Sequence, residues 1–375
     1  MHVVILGAGF GGLELSSCLS EELGSDVQVT LIDQSDHFVF GFAKLDVMFG
    51  RTSAESVRYY YRDIVKPGVD FRQETVTSIN AGAKHVVTDK GEYDADVLVV
   101  ALGADLDIAA TPGLAEAGYE FYSPEGAERA REPVSSFESG TVVIGIMGGF
   151  FKCPPAPCET ALLLHDEFEK RGVRGATRIV LVTPLPSPVP ISPDTSKGIL
   201  DAFAERGIEF MPQSRVTGID TAAKALNLAD GSQVAFDLLL GVPVHKAPEV
   251  VLASDLAVDG WIPVDAPTLA TSFPDVYAVG DNTSAPVPRA GVFAEGQARV
   301  VAAGIIDRFR GAADETRYEG VGTCYIEFGQ DTVGRVDVNF LGGPQPVGIF
   351  TPPSTAVTAE KEHFGSSRRA RWFGG

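Results

Sequence analysis

Cysteine sulfur is the most reactive chemistry in this sequence, and two of its four cysteines stand close together. The stretch FFKCPPAPCET, residues 150–160, places Cys153 and Cys158 on either side of three prolines and an alanine. Such a pair could form a disulfide, bind a metal or exchange electrons. A zinc site is disfavoured, because His165 is the only histidine nearby and the chain has no C-x-x-C pair. Prolines fix φ at about −65° and remove N–H donors, so the stretch is predicted to be stiff and extended.

A glycine-rich turn near the start of the chain is the second candidate site. Residues 7–12 read GAGFGG, so Gly7, Gly9 and Gly12 form a G-x-G-x-x-G pattern between an apolar strand and a helix. The first glycine makes the tight turn, the second lets the backbone approach a pyrophosphate, and the third lets the helix pack against the strand. Phe10 and Gly11 complete the loop, and the helix N-terminus that follows offers free N–H groups to an anion.

The elements around these residues predict a βαβ unit that occurs twice. Asp33 ends the second apolar strand, 21 residues after Gly12, where an acid binds the ribose hydroxyls of a dinucleotide. A second strand-then-glycine unit, GTVVIGIMGG at residues 140–149, departs from the pattern because Met147 replaces the glycine that lets the backbone reach phosphate. The next strand ends VLVTPLPSP, with neither an acid nor an arginine. We therefore predict a second nucleotide-binding fold that has lost nicotinamide binding, with a divergent site that still binds NADH as the alternative.

Two more strand-and-glycine segments carry a resemblance to a known superfamily. VLVVALGAD at residues 97–105 contains Ala101, Leu102 and Gly103, and VYAVGDNT at residues 276–283 contains Gly280 and Asp281. The order of these segments resembles that of the two-dinucleotide-binding flavoproteins over nearly the whole chain. The resemblance implies FAD as the cofactor, with Asp281 on its ribityl chain.

The cysteine stretch resembles that of two particular families within this superfamily. KCPPAPCE resembles the CPPGPYE-type segment of flavocytochrome c sulfide dehydrogenases and the cysteine segment of sulfide:quinone oxidoreductases. In those families this cysteine pairs over the flavin with one near the C-terminal end, which implies a pair of Cys153 and Cys324 here. Cys158 falls where the flavocytochromes have tyrosine, so it is not required, although it could replace a third cysteine that some sulfide:quinone oxidoreductases use. PRAGVFAEGQ resembles the Pro-Lys-Thr/Ser-Gly segment of the family, with Arg289 in place of lysine and Gly291 following.

The resemblance also implies a mechanism. Hydrosulfide attacks a Cys153–Cys324 disulfide, or a sulfur-bridged form of it, one cysteine keeps the added sulfur, and Cys324 is released as a thiolate that reduces the flavin. A thiolate requires a lowered thiol pKa. The N-terminus of the helix that follows Arg289, together with Arg289 itself, is expected to stabilise the anionic reduced flavin. Glu159 either moves protons or is an acid in the first turn of a helix. The flavin-linking cysteine of the family is missing from HFVFGFAKLDVMFG, so non-covalent FAD is expected, with a quinone as the electron acceptor.

The composition argues against some partners. A net charge of −20 disfavours nucleic acid, because phosphate binding needs a basic face. The chain has no apolar run of about 18 residues and no visible leader, so we predict a cytoplasmic protein whose membrane attachment, if any, is peripheral on the inner face. The basic tail RRARWFGG has two interpretations, a weak membrane contact and a packed terminal helix with salt bridges. No metal site is predicted, and a homodimer is one expected assembly state.

Together these observations predict an α/β protein with two Rossmann-like dinucleotide-binding domains in a glutathione-reductase-like arrangement, followed by a C-terminal α+β segment. The predicted domains are an FAD-binding domain (1–108 and 235–312), a degenerate nucleotide-binding domain (109–234) and a redox or interface segment (313–375). The predicted function is FAD-dependent oxidation of sulfide, or a related sulfur compound, with electrons passed to a quinone. Three alternatives remain: an NADH:quinone or other NAD(P)H-dependent FAD oxidoreductase, the flavin subunit of a flavocytochrome c sulfide dehydrogenase, and a flavin redox sensor with a regulatory disulfide.

Overall fold

The first of two large sheets is built mainly from the N-terminal third of the chain. The structure, a computed structural model, describes residues 1–313 and 315–374. The sheet has five parallel strands, in the order Val276–Ala278, Val97–Val100, His2–Leu6, Gln28–Asp33 and Val69–Gln73. Its central strands are runs rich in Val and Ile with no exposed residue, which is typical of a parallel sheet covered on both faces. One face packs on the helices Phe10–Leu23 and Gly291–Arg310, and the other on the antiparallel strands Val76–Asn80, His85–Thr88 and Glu92–Asp94.

The second large sheet repeats this plan. Its five parallel strands follow the order Tyr119–Glu120, Leu238–Val242, Gly140–Ile146, Thr177–Val182 and Ile208–Met211. One face packs on the helices Pro124–Ser136, Ala156–Lys170 and Pro193–Glu205, and the other on the antiparallel strands Val216–Asp220, Ala225–Leu228 and Gln233–Ala235. The predicted α/β fold class with two Rossmann-like units is therefore confirmed.

One predicted domain boundary is wrong. The predicted return to the FAD-binding domain lies at residue 235, but the strand Leu238–Val242 pairs with Gly140–Ile146 inside the second sheet. The two sheets are linked instead through the antiparallel pair Asp105–Asp107 and Val244–Lys246. The sequence LLLGV is apolar throughout, so its letters fit a central strand of either sheet. The other domain boundaries stay predictions, and residues 314 and 375 of the predicted last segment lie outside the described residues.

The C-terminal segment adds a small sheet and a long helix. The antiparallel strands Val321–Gly329, Thr332–Asn339 and Val347–Ser354 lead into the helix Thr355–Phe373. The remaining short elements are the strands His37–Phe38 and Tyr59–Tyr60, the helices Ala43–Met48, Leu114–Ala117 and Glu249–Leu252, and the 3-10 helices Gly24–Asp26, Glu55–Val57, Tyr61–Asp63, Ile108–Ala110 and Arg174–Ala176.

A buried carboxylate anchors the C-terminal helix to the first domain. Glu14 is fully buried and accepts hydrogen bonds from the Trp372 indole (2.8 Å) and from Nε of Arg371 (3.1 Å). The Trp372 ring lies edge-on to Phe10 of the glycine loop, at 5.4 Å between centroids, and Phe373 is also buried. The tail is therefore the packed terminal helix with salt bridges, and its aromatic pair faces inward, which corrects the membrane interpretation for these two residues. Among the described residues, no helix combines the length and apolarity needed to cross a bilayer.

Candidate active site

A cavity of about 340 Å³ brings together most of the predicted site residues. It lies where the glycine loop, the cysteine stretch, the start of the helix Gly291–Arg310, the strand Val321–Gly329 and the C-terminal helix meet. The predicted residues that line it are Gly9, Phe10, Gly11, Ala101, Gly103, Cys153, Glu159, Gly280, Asp281, Gly291 and Cys324. Gly7, Gly12, Asp33, Leu102 and Arg289 are not among the residues that line it.

The glycine loop fits a dinucleotide. Gly7 has a φ of +98°, and a Cβ there would lie 2.3 Å from the carbonyl oxygen of Ala101. A Cβ on Gly12 would lie 1.9 Å from the carbonyl oxygen of Gly7, so this glycine is needed for helix–strand packing. A Cβ on Gly9 would meet no atom within 4 Å, so the space in front of this glycine is free for a pyrophosphate. Gly7 and Gly12 therefore have the turn and packing roles that the motif predicts, and the approach of a pyrophosphate to Gly9 stays a prediction.

Asp33, at the end of the strand Gln28–Asp33, stabilises the glycine loop through hydrogen bonds. Its carboxylate accepts hydrogen bonds from the N–H groups of Ala8 (2.7 Å) and Ser35 (2.9 Å). Burial raises the pKa of Asp33, although both N–H donors act to lower it. Its contact with a ribose stays a prediction. Leu102 packs on the apolar cluster of the opposite sheet face, so it supports the loop without lining the cavity.

The Gly280–Asp281 turn and the following helix form the opposite wall. Gly280 has a φ of +80° and donates its N–H to the side chain of Gln297 (2.6 Å). Burial raises the pKa of Asp281, whereas the charges of Lys152, Arg289 and Lys44 lower it. The helix begins at Gly291 without a side-chain cap, so its first N–H groups are available to a ligand.

Arg289 lies beside the cavity without lining it, and its predicted contact with the flavin stays a prediction. Its guanidinium lies 3.8 Å from the centroid of the Trp261 ring and donates from Nε to the carbonyl oxygen of Asp281 (3.1 Å). The side chain therefore stacks outside the cavity, because an aromatic face is available beside it. Its backbone carbonyl accepts a hydrogen bond from the N–H of Cys153 (2.9 Å), so this residue fixes the cysteine stretch through its main chain.

Cys153 and Cys324 line the cavity as two free thiols. Cys153 has a φ of +47°, which is rare for a residue with a Cβ, and its carbonyl oxygen accepts a hydrogen bond from the Tyr122 hydroxyl (3.4 Å). Burial raises the pKa of Cys153 to about 11 and that of Cys324 to about 12. A charge on Cys153 is the second cause of the raised pKa of Cys324. The lowered thiol pKa that we expected is therefore wrong for this state of the protein.

Cys158 has a different environment. It lies in the helix Ala156–Lys170, is only 3% exposed, and packs in the main apolar core. It does not line the cavity, and burial raises its pKa further than that of the other two thiols. Its surroundings are those of a small apolar core residue.

Glu159 is both a first-turn helix acid and a cavity residue. Its carboxylate accepts a hydrogen bond from the N–H of Glu327 (3.0 Å). Burial raises its pKa to about 7, against the lowering effect of the Lys361 charge. Lys361 is paired with the Glu327 side chain, which also binds Arg51 at 2.7 Å. A carboxyl group with a pKa near neutral can exchange protons at physiological pH.

Several residues that line the cavity are not predicted from the sequence. Lys44 and Lys152 lie on the side of Cys153, and Lys361 and Phe364 come from the C-terminal helix. The position of Lys152 directly before Cys153 was the only local signal that could have indicated one of them. Lys44, Lys361 and Phe364 reach the site through tertiary packing, for which the local sequence carries no pattern.

The second Rossmann-like unit has no free helix N-terminus at its glycine strand. Its helix starts at Ala156, after a loop that contains the cysteine stretch. The N–H groups of Cys158 and Glu159 both donate to the carbonyl oxygen of Pro155 (2.9 and 3.0 Å), that of Ala156 donates within the loop, and Pro157 has none. These donors are therefore not available to a pyrophosphate.

Comparisons with known proteins agree with this architecture. The family "Pyridine nucleotide-disulphide oxidoreductase" matches residues 1–303. The chain is 27% identical over 354 residues to the sulfide-quinone reductase of Aquifex aeolicus (strain VF5), covering 88% of this chain and 82% of that protein. The X-ray structure of the sulfide:quinone oxidoreductase from Aquifex aeolicus superposes with a TM-score of 0.87 at 24% identity, covering all of this chain and 92% of that one.

A second group of relatives has a different name. The type II NADH:quinone oxidoreductase of Staphylococcus haemolyticus (strain JCSC1435) is 24% identical over 373 residues, covering 89% of each chain. The match of the family to most of the chain, the two Rossmann-like units and the dinucleotide loop agree on one assignment. The chain belongs to the pyridine nucleotide-disulphide oxidoreductase family and is an FAD-dependent oxidoreductase.

Proposed function

We propose that the protein oxidises sulfide, or a closely related sulfur compound, through Cys153 and Cys324 and passes the electrons to a quinone. The observation that carries this proposal is that both cysteines line the cavity that the glycine loop and the helix at Gly291 also form. FAD would be held without a covalent link by the glycine loop, Asp33 and Asp281, and it supplies a two-electron acceptor when bound. The names of the Aquifex relatives support the same substrates.

The proposed role of each cysteine follows from a disulfide between them. Hydrosulfide attacks the Cys153 sulfur, a new S–S bond forms on Cys153, and the electron pair of the old bond leaves with Cys324 as thiolate. Because the attacked species is a disulfide, neither thiol needs to ionise first, which makes the raised thiol pKa values compatible with this step. The persulfide on Cys153 carries the proton that came with hydrosulfide, and a base must accept it.

Glu159 is the proposed base. Its pKa of about 7 means that it is deprotonated above neutral pH and can then accept the persulfide proton. In wild type we expect the sulfide-dependent rate to fall as pH drops below 7, since Glu159 becomes protonated. Glu159→Gln should lose this limb of the pH profile and lower the rate at pH 8 by roughly 100-fold. Rates should be compared at a fixed hydrosulfide concentration, because sulfide itself titrates near this range, and an unchanged pH profile contradicts the role.

The quinone is proposed to approach from the side of the C-terminal helix. Phe364 lies 6.4 Å from the Phe42 ring and 5.8 Å from the Tyr325 ring, measured between centroids, and all three residues line the cavity. Lys361 lies beside these three aromatic rings, with its Nζ 5.4 Å from the centroid of the Phe42 ring. Aromatic side chains with one charged group suit a flat apolar ring that carries carbonyl oxygens.

The main alternative is NADH oxidation, which the names of the type II relatives favour. The saturated helix N-terminus at residues 155–159 argues against it. We therefore expect anaerobic sulfide to bleach the flavin of the purified protein within the mixing time of a manual experiment, and a matched amount of NADH to leave it oxidised. Bleaching by NADH and not by sulfide would overturn the proposed function. Sulfide bleaching without subsequent quinone reduction would instead favour a flavocytochrome subunit or a redox sensor.

A further inference from the structure

Two lysines stand on the Cys153 side of the cavity. Lys44 donates from Nζ to the carbonyl oxygen of Tyr122 (2.7 Å), and Lys152 donates from Nζ to the carbonyl oxygen of Ala104 (2.8 Å). Each ammonium is thereby held by one main-chain oxygen, and both side chains line the cavity. An ammonium has three N–H donors, so each lysine keeps donors beyond the one that anchors it.

Neither lysine forms an ion pair within the described part of the chain, since no carboxylate oxygen there lies within 4.0 Å of either Nζ. Most lysines in the described residues also lack an ion pair, so what distinguishes Lys44 and Lys152 is that both line the cavity. Both side chains are only partly exposed, and unpaired charges in such positions are costly unless a ligand compensates them. The arrangement therefore calls for an anion in the cavity.

Both lysines are tied to Cys153 by position. Lys152 directly precedes it in the chain, and Tyr122, whose carbonyl oxygen holds Lys44, donates its hydroxyl to the Cys153 carbonyl oxygen (3.4 Å). Burial lowers the pKa of Lys44 to about 8, the Lys152 charge adds to this, and a charge on Cys153 raises it. Conversely, Lys44 is the largest of the charges that lower the pKa of Cys153, and Lys152 acts in the same direction. A negative charge at this sulfur and the two ammonium groups thus stabilise each other.

We propose that Lys44 and Lys152 form the binding site for a small sulfur anion beside Cys153, and so select hydrosulfide and the persulfide anion over neutral thiols. This inference rests on the proposed function. It makes the lysine pair a specificity determinant, because a ligand without negative charge would leave both ammonium groups unpaired. The Asp281 carboxylate lines the same cavity, and its charge acts on Lys44 and on Cys153 as well, so it balances part of the lysine charge without forming an ion pair with either ammonium.

The first test measures charge selectivity without using sulfide. The reduced holoenzyme is treated with iodoacetate, an anion, or with the neutral iodoacetamide, and modification of Cys153 is followed by mass spectrometry of the peptide fragments. In wild type we expect iodoacetate to be favoured. Lys44→Met and Lys152→Met should each lower the iodoacetate-to-iodoacetamide ratio by roughly 10-fold or more, the effect of losing one hydrogen bond to a charged group. A change in the thiol pKa slows both reagents, so the ratio isolates the attraction of the anion.

Two control variants separate a local effect from a change in total charge. Lys197→Met removes an exposed lysine that pairs with Asp201 on the helix Pro193–Glu205, and it should leave the ratio unchanged. Lys152→Arg keeps the charge and should restore at least part of the selectivity. An iodoacetate-to-iodoacetamide ratio that is unchanged in both methionine variants overturns the inference. If these variants also lose bound FAD while the ratio stays unchanged, the lysines bind the cofactor instead.

A second measurement decides the case in which Cys153 reacts with neither reagent. The sulfide concentration that gives half-maximal flavin reduction in a single turnover should rise roughly 10- to 100-fold in each methionine variant, with reduction by dithionite unaffected. An unchanged sulfide dependence contradicts the lysine site. If wild-type flavin is not reduced by sulfide at all, the proposed function fails, whereas the alkylation ratio still reports on the anion site.

Discussion

Cys153→Ser and Cys324→Ser are each expected to lower the rate of sulfide-driven flavin reduction by at least roughly 1,000-fold. Serine preserves the size of the side chain but cannot form the disulfide that hydrosulfide attacks, so both single variants should fail to the same extent. The double variant should be no slower than either single one, because the two sulfurs act as a unit. Anaerobic stopped-flow absorbance of the flavin measures these rates.

The matched control is Cys158→Ala, in the same stretch of sequence. Cys158 packs in the apolar core and does not line the cavity, so its variant should reduce its flavin with sulfide within about threefold of the wild-type rate. All variants should retain FAD and be reduced by dithionite. Normal turnover with sulfide and quinone in the Cys153→Ser, Cys324→Ser double variant would refute the catalytic pair. A Cys158→Ala protein that retains FAD but is not reduced by sulfide would show that Cys158 is required for the reaction.

The sequence predicts the first Rossmann-like unit well because its signals are local. The turn, the close approach and the helix packing at Gly7, Gly9 and Gly12 each depend on atoms within one βαβ unit and the strand beside it. Assignment of a strand to a sheet is a non-local property, and here the prediction failed. The strand Leu238–Val242 is apolar on both faces, so only its pairing with Gly140–Ile146 decides which sheet it joins.

The cysteine pair of the candidate site could be predicted, but from a family resemblance and not from local sequence signals. Cys153 and Cys324 were paired through a family resemblance, since nothing in their own spacing brings them together. Both line one cavity, because the small C-terminal sheet packs against the helix that follows the cysteine stretch. The direction of the Arg289 side chain could not be foreseen, because it depends on the ring of Trp261. The pKa of Glu159 likewise depends on burial and on the charges of Lys361, Glu327 and Asp46, which come from three separate segments.

Gly9→Val is the most direct test of the cofactor loop. A Cβ at this position meets no protein atom within 4 Å, and Gly9 has a φ of −77°, which residues other than glycine adopt readily. The variant should therefore fold, with a far-ultraviolet circular dichroism spectrum like that of wild type. It should lose FAD affinity by roughly 100-fold or more, because the branched side chain fills the space that the pyrophosphate needs and blocks hydrogen bonds to a charged group.

Comparison with two other glycines separates cofactor binding from folding. Gly12→Ala places its Cβ 1.9 Å from the Gly7 carbonyl oxygen, so this variant should fail to fold and give no soluble protein. Gly149→Val lies in the degenerate second loop with no atom within 4 Å of its Cβ, and it should bind FAD normally. The readouts are bound flavin per protein and the rise in melting temperature on adding FAD, which wild type and Gly149→Val should show and Gly9→Val should not. Full FAD occupancy in Gly9→Val would mean that the pyrophosphate does not approach the chain at this glycine.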